Sequence, residues 1–502
     1  MTAVTSTNPR TGAVEATVAE ETTTEQVDQF CRLAADAAPR LEALGRPFRA
    51  ELLRALADAL EADHTTLVGL ADRETGLGET RLNGELTRTC YQLRLFADAV
   101  TEGSYVEAII DHAGDTPMGP RPDLRRMLVP VGPVAVFGAS NFPFAFSVPG
   151  GDTAAALAAG CPVIAKAHPS HPATAQHCID VMRDAAVRAG APDGTLSLVH
   201  GQSAGTAIVQ HPSVRAAAFT GSLAGGRALA DIAAARPEPI PFYGELSSLN
   251  PVVITPAAAA QRAEAIGKGL AGSATLGAGQ FCTKPGITFV PAGADGDLLR
   301  AEVAKAFTEL GGLVALNGGI QHNYQAGTAR LASHPGLAPV AEASAPTGDG
   351  FLVRPVVFGT DTSKLDELVT EECFGPVTIL VSYSDEADLL AALAKLPGSL
   401  TATVHATESD DLTAVLDVLR PKAGRLLFNG FPTGVAVAWA QHHGGPWPAT
   451  NTLHTSVGIT SIRRFLRPVA WQDAPRQVLP AELRDDPGTA SVPRRVDGAL
   501  QL

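Results

Sequence analysis

Val134-Ala135-Val136-Phe137-Gly138-Ala139-Ser140-Asn141 is a short apolar run closed by glycine and small polar residues. Four apolar residues in succession before such a turn describe a strand buried on both faces. The figure recurs: 162–166, 196–199 and 214–219 also read as strands, while 154–159, 173–188, 206–210 and 225–235 read as helices. Short strands alternating with helices imply an α/β fold with a parallel sheet covered on both sides. Ligands of such sheets bind at the carboxyl ends of the strands. Asn141, Lys166, Gly201, Gly205, Gly221, Ser222 and Glu245 fall at those ends.

Working outward, residues 22–110 carry helical spacing, as in Phe48, Leu52, Leu53, Leu56 and Leu60. Thr23 or Thr24 would cap the first of these helices, and Asp36-Ala37-Ala38-Pro39 would close it. Gly114, Pro117, Gly119, Pro120 and Pro122 interrupt regular structure and mark 113–130 as a boundary. Beyond Glu245 a second alternating region begins. Helices are predicted at 257–276, 298–310 and 387–396, strands at 286–290 and 377–381, and an extended run at 424–429. The segment from Asp473 onward, rich in Pro, Asp and Arg, reads as loop.

A chain of 502 residues exceeds one hydrophobic core and divides into domains. Its net charge of -14 comes without any basic stripe, which argues against nucleic acid and anionic membranes as partners. Six cysteines, at 31, 90, 161, 178, 282 and 373, are too scattered for a zinc motif and too few for a disulfide scaffold. No metal site is therefore expected. With no signal-like N-terminus and no apolar run of membrane-spanning length, the expected location is the cytoplasm.

Several residues could carry chemistry. Cys282, in Gly279-Gln280-Phe281-Cys282, is a thiol that becomes a nucleophile only beside a base or with a lowered pKa. Glu245 stands in an apolar setting, Ile240 to Gly244, where partial burial would raise its pKa and suit it to act as a base. The Asn141 amide could donate to a developing oxyanion or cap a turn. Gly221, Ser222 and Gly225 form a strand-to-helix turn able to face a phosphate. Lys166 could hold ribose hydroxyls or a phosphate, or stand solvated. His168 and His171 lack the further ligands that zinc would need.

Taken together, these blocks resemble the aldehyde dehydrogenase superfamily. They occur in its order: Ser140-Asn141-Phe142-Pro143, Lys166, Phe219-Thr220-Gly221-Ser222, Gly244-Glu245-Leu246, Gly279-Gln280-Phe281-Cys282 and Glu371-Glu372-Cys373-Phe374-Gly375-Pro376. The resemblance implies a Rossmann-like cofactor domain at 1–112 and 131–245 and an α/β catalytic domain at 246–445. Small oligomerisation segments would lie at 113–130 and 460–480. It makes Cys282 the nucleophile, Asn141 the oxyanion donor and Glu245 the base that hydrolyses a thioester. Lys166 would hold the adenosine ribose, Glu372 the nicotinamide ribose, and Phe374 would lie near that ring.

The residue three beyond Lys166, a glutamate in many NAD-preferring members, is Pro169 here. That departure implies that NADP is favoured over NAD, with Ser170 and Lys166 taking the 2′-phosphate. The stretches 140–151, 166–172 and 443–450 resemble a branch containing 2,5-dioxovalerate (α-ketoglutaric semialdehyde) dehydrogenases and an NADP-linked fatty aldehyde dehydrogenase. In that branch His443 is the counterpart of a histidine close to the catalytic cysteine, or else a loop histidine bound to backbone. The implied reaction is NAD(P)-dependent oxidation of 2,5-dioxopentanoate to 2-oxoglutarate in a homodimer or homotetramer. A longer aliphatic aldehyde and a CoA-acylating transfer are the alternatives, and Glu245 argues against the latter.

Overall fold

The computed structural model describes residues 2–501. Its cofactor-side sheet has five parallel strands in the order Phe242–Glu245, Ala216–Thr220, Val134–Phe137, Val163–Lys166 and Leu196–Val199. The chain reverses its direction of travel across the sheet between Val134–Phe137 and Ala216–Thr220. The carboxyl ends of those two strands therefore flank the crevice where a dinucleotide binds in doubly wound sheets. Period-two alternation divides each strand between two cores. Val134 and Val136 pack with the helices spanning residues 45–102, whereas Ala135 and Phe137 pack with Val27, Cys31 and Ala34.

The first helix, Thr24–Ala43, starts at a capping box: the Thr23 hydroxyl accepts from the Gln26 N–H, and the Gln26 side chain accepts from the Thr23 N–H. It does not stop at Pro39, as the proline suggests, but runs through it to bury Leu41. The strand Phe242–Glu245 is hidden in the sequence by Pro239, Pro241 and Gly244.

A second sheet of seven strands has the order Ala338–Glu342, Val356–Asp361, Val377–Tyr383, Ile287–Pro291, Val252–Ile254, Ser399–His405 and Ala423–Phe428, parallel except for the first. Phe289 and Ile379 face one core, and Val290 and Leu380 the other. The strand Ser399–His405 goes unread in the sequence because Ser399, Thr401 and Thr403 alternate as in a half-exposed strand, yet all three are buried.

Leu124–Pro130 and Leu466–Gln472 pair antiparallel within the chain, in a separate sheet that also contains Ala108–Asp111, Arg494–Val496 and Ala499–Gln501. The region after Asp473, expected as loop, thus supplies two strands and several short 3-10 turns. Among the described residues, no helix is long and apolar enough to cross a membrane.

Candidate active site

Cys282 is delivered by a turn and not by a strand end. Helix Pro256–Thr275 gives way to the 3-10 turn Leu276–Gly279, in which Gly277, Ala278 and Gly279 have φ of 56°, 58° and 65°. For Ala278 the left-handed conformation costs about 1–2 kcal/mol. Gly279 cannot be replaced without a collision, since a Cβ there would stand 2.3 Å from the backbone carbon of Gly375. The turn is therefore pressed against the segment that carries Glu372 and Phe374.

Asn250 holds the other side of the turn. Its buried amide donates to the carbonyls of Cys282 (2.8 Å) and Lys284 (3.0 Å), while its Oδ1 accepts from the Thr401 N–H at 3.2 Å. Asn250 itself has φ 53°, a conformation asparagine tolerates better than most residues. Sequence reasoning passed over it; the only signal was the Asn250-Pro251 pair.

Around the sulfur, three groups from distant segments converge. Cys282 Sγ lies 3.6 Å from His443 Nε2, and the same nitrogen is 2.9 Å from Glu245 Oε1. The second oxygen of Glu245 accepts from Ser456 Oγ at 2.6 Å, and the Thr455 hydroxyl accepts from the His443 N–H at 2.7 Å. Neither Ser456 nor Thr455 was singled out from sequence, because their partners lie elsewhere in the chain. His443 Nδ1 is buried without a partner, so its proton is assigned to Nε2.

The electrostatics correct the expectation for Glu245. Burial by itself would raise its pKa, but the adjoining His443 and hydrogen bonds from His443, Ser456 and Cys282 outweigh burial and hold the carboxyl below its usual range. Cys282 moves the other way: burial and the Glu245 carboxylate push its thiol well above the ordinary value, with Arg425 opposing. At rest, the proton sits on sulfur and the charge on Glu245.

Asn141, also buried, donates from Nδ2 to the Gln280 carbonyl at 2.9 Å, two residues before the nucleophile. An amide has two N–H groups, so one remains for a ligand. The Asn141 carbonyl accepts from Arg81 Nη2 at 2.6 Å, and the Arg81 guanidinium lies 4.9 Å from the Phe142 ring centroid and 4.7 Å from that of Phe281. This bond is to the Asn141 backbone carbonyl, so Arg81 holds the main chain that carries the amide.

On the cofactor side, Ser222 is the N-cap of helix Leu223–Ala235, its hydroxyl accepting from the Gly225 N–H at 3.2 Å. Gly221 precedes that helix, its N–H donating to the Glu245 carbonyl at 3.0 Å. Lys166 ends its strand half-buried, and a Cβ on Gly205 would come within 3.4 Å of its side chain. An open helix N-terminus, a lysine and a glycine that clears space are a donor set that fits a dinucleotide. Glu372 is partly buried; burial raises its pKa to about 7 against Ser247, Lys284 and the Ser248 N–H, which donates to it at 3.2 Å. Phe374 is half-buried beside it in the chain.

Two expectations about the adenosine end change. Ser170 is buried and its hydroxyl accepts from Asn317 Nδ2 at 2.6 Å, so it is tied to another segment of the chain and keeps only its own O–H for a ligand. A carboxylate that sequence spacing could not place does approach Lys166. The backbone at Glu21 and Thr22 is tied to Thr2 and His200 at 3.0 Å each, and a Cβ on Gly201 would stand 2.9 Å from the Glu21 carboxyl carbon. The Glu21 charge acts on Lys166.

The chain is 45% identical over 485 residues, 95% of its length and 92% of the relative's, to α-ketoglutaric semialdehyde dehydrogenase 2 of Azospirillum brasilense. It is 42% identical over 488 residues, covering 96% and 92%, to α-ketoglutaric semialdehyde dehydrogenase of Acinetobacter baylyi. An E. coli structure described as an NADP dependent enzyme shares the fold, with a TM-score of 0.80 at 23% identity over 94% of each chain. The model of the aldehyde dehydrogenase family matches residues 1–446, and the chain belongs to that family.

Proposed function

We propose that this aldehyde dehydrogenase oxidises 2,5-dioxopentanoate to 2-oxoglutarate through a thioester on Cys282. The observation that carries the mechanism is the contact of Cys282, His443 and Glu245, whose sulfur, ring nitrogen and carboxylate oxygen all lie within 4.8 Å of one another. The names of the two relatives above 40% identity support the choice of substrate.

The Cys282 thiol gives its proton to Glu245 as sulfur attacks the aldehyde carbon. The oxyanion is held by the free N–H of Asn141 and by the Cys282 backbone N–H. The turn's own backbone bonds run from Gln280 to Gly277 and from Lys284 to Phe281, leaving the Cys282 N–H for this use. A nicotinamide dinucleotide, when bound, would accept the hydride, and Glu372 and Phe374 would hold its nicotinamide end. Glu245 then releases the thiol proton to solvent, water adds to the thioester carbon as Glu245 takes one of its protons, and that proton returns to sulfur as the carboxylic acid leaves and ionises. His443 Nε2–H, between the carboxylate and the sulfur, orients Glu245 and screens its charge from the thiolate.

Pro169 leaves room for a 2′-phosphate, but Glu21 near Lys166 weighs the cofactor choice back toward NAD. Assembly into a homodimer or homotetramer would use the edge strand Leu466–Gln472, where exposed residues predominate. A second reading, oxidation of longer aliphatic aldehydes, is favoured by the rings of Phe142, Phe146 and Phe281, stacked edgewise with centroids 5.1 and 5.2 Å apart.

The test is Cys282→Ser together with steady-state rates for 2,5-dioxopentanoate and for medium and long aldehydes, each with NAD and NADP. The variant is expected to lose on the order of 10^4-fold in turnover. Full turnover without the thiol would end the mechanism, and higher kcat/KM for long aldehydes would favour the second reading.

A further inference from the structure

Two guanidinium groups stand near the nucleophile with hydrogen-bonding capacity that the protein leaves unused. Arg88, on helix Glu79–Glu102, donates from Nε to the Val435 carbonyl at 3.3 Å and from Nη1 to Gln92 at 3.3 Å. Its Nη2 is buried without an acceptor among the described residues. Arg425, on strand Ala423–Phe428, donates from Nη2 to the Pro432 carbonyl at 2.9 Å and from Nη1 and Nη2 to the Gly434 carbonyl at 3.2 Å each, and only its Nε is buried and unpaired. Both side chains thus converge on one loop, 432–435, from different domains.

A chain of contacts links this loop to the sulfur. The Arg88 guanidinium lies 5.3 Å from the Phe146 ring centroid, that ring is 6.2 Å from the His443 ring, and His443 touches Cys282. Arg88 and Arg425 each interact electrostatically with Cys282. Neither forms a salt bridge among the described residues: Glu85, near Arg88 on the same helix, accepts instead from the Phe144 and Ala145 N–H groups at 2.8 and 3.0 Å. A buried guanidinium N–H without an acceptor is costly, and nature seldom leaves two of them beside one site unless a ligand supplies the acceptor.

We infer that Arg88 and Arg425 bind the far carboxylate of the substrate, so that the site selects short aldehydes with an acidic end opposite the reacting carbon. The inference rests on the substrate reading above and deepens it. Each guanidinium would give the carboxylate the nitrogen it has unpaired, Arg88 Nη2 and Arg425 Nε, and arginine keeps its charge when desolvated. The phenyl rings of Phe142 and Phe146 would then line the short methylene segment between the two ends. Arg81 also has a buried N–H without an acceptor, on Nη1, but its Nη2 donates to the Asn141 backbone carbonyl and its guanidinium lies against the Phe142 and Phe281 rings, on the oxyanion side of the site.

The experiment compares kcat/KM for 2,5-dioxopentanoate with that for pentanal in the full-length enzyme and in Arg88→Gln and Arg425→Gln. The ratio of acid to neutral aldehyde is expected to fall at least about tenfold in each variant, chiefly through KM of the acid. Arg88→Lys and Arg425→Lys should recover part of it. Should the Gln variants fail to fold, the wild-type protein still decides: glutarate should slow alkylation of Cys282 by iodoacetamide, and neutral glutaramide should not.

A wild-type enzyme that turns over pentanal as well as the acid overturns the substrate reading and the anchor with it. A wild-type preference for the acid that survives in both Gln variants overturns the anchor alone. Equal protection by glutarate and glutaramide does the same.

Discussion

The five-stranded and the seven-stranded sheets deliver their chemistry in different ways. Lys166 and Glu245 are the last residues of their strands, and Ser222 caps the helix that follows another strand. Cys282 and Glu372 belong instead to segments that lead into the strands Ile287–Pro291 and Val377–Tyr383. A residue at a strand end is placed by the sheet itself. One on an approach segment needs other parts of the protein to hold it, and here those are Gly375 against Gly279 and Asn250 against the Cys282 carbonyl. The cofactor half should therefore tolerate changes that the nucleophile half does not.

The sharpest way to break that contrast is Gly279→Ala. The substitution joins a left-handed φ of 65° to a collision with the Gly375 backbone. A loss of several kcal/mol and of nearly all turnover is expected, visible as a large fall in Tm. A variant that keeps its Tm would show the turn to be freer than described.

Next in size is Asn250→Ala, which leaves the Cys282 and Lys284 carbonyls and the Thr401 N–H unpaired in the interior. A loss of about 3–5 kcal/mol in urea unfolding is expected. By contrast, Lys166→Ala should weaken cofactor binding while changing stability by less than about 1 kcal/mol. Equal destabilisation by the two would erase the distinction between the halves.

A smaller effect concerns protons. The Glu245 carboxylate raises the Cys282 pKa, so Glu245→Gln should lower it. Iodoacetamide alkylation, measured against pH, should then rise at lower pH in the variant than in the wild type. A profile unmoved or shifted to higher pH would place Glu245 outside electrostatic reach of the sulfur. The smallest effect expected is Glu21→Gln, which should raise the affinity of the free protein for NADP relative to NAD about fivefold, as read by fluorescence titration.

The same contrast decides what could be read from sequence. Val134–Phe137, Val163–Lys166 and Leu196–Val199 announce themselves as apolar runs ending at turns, and Lys166 and the Gly221-Ser222 turn fall at their ends. Motif resemblance pointed to Cys282, Glu245, Asn141 and His443 because each sits in a distinctive local block. Ser456, Asn250, Arg81 and Glu21 have no such blocks. Each acts by a tertiary contact, Ser456 on a residue 211 positions away and Arg81 on one 60 away, and nothing in a linear chain encodes those distances. The sign of the Glu245 shift was missed for the same reason: burial was visible from its apolar neighbours, but the histidine that reverses the effect lies 198 residues on.

The segment that carries His443 and Ser456 also pairs with the edge of the first sheet, through the bridge between Glu245 and Thr450 and the Leu246 N–H bond to the Ala449 carbonyl at 2.8 Å. During synthesis on the ribosome, the strand bearing Glu245 and the turn bearing Cys282 emerge long before this segment does. Until it docks, Glu245 lacks the His443 and Ser456 partners that offset its burial in the finished site. The contact of thiol, histidine and carboxylate is thus completed only after most of the chain has been made.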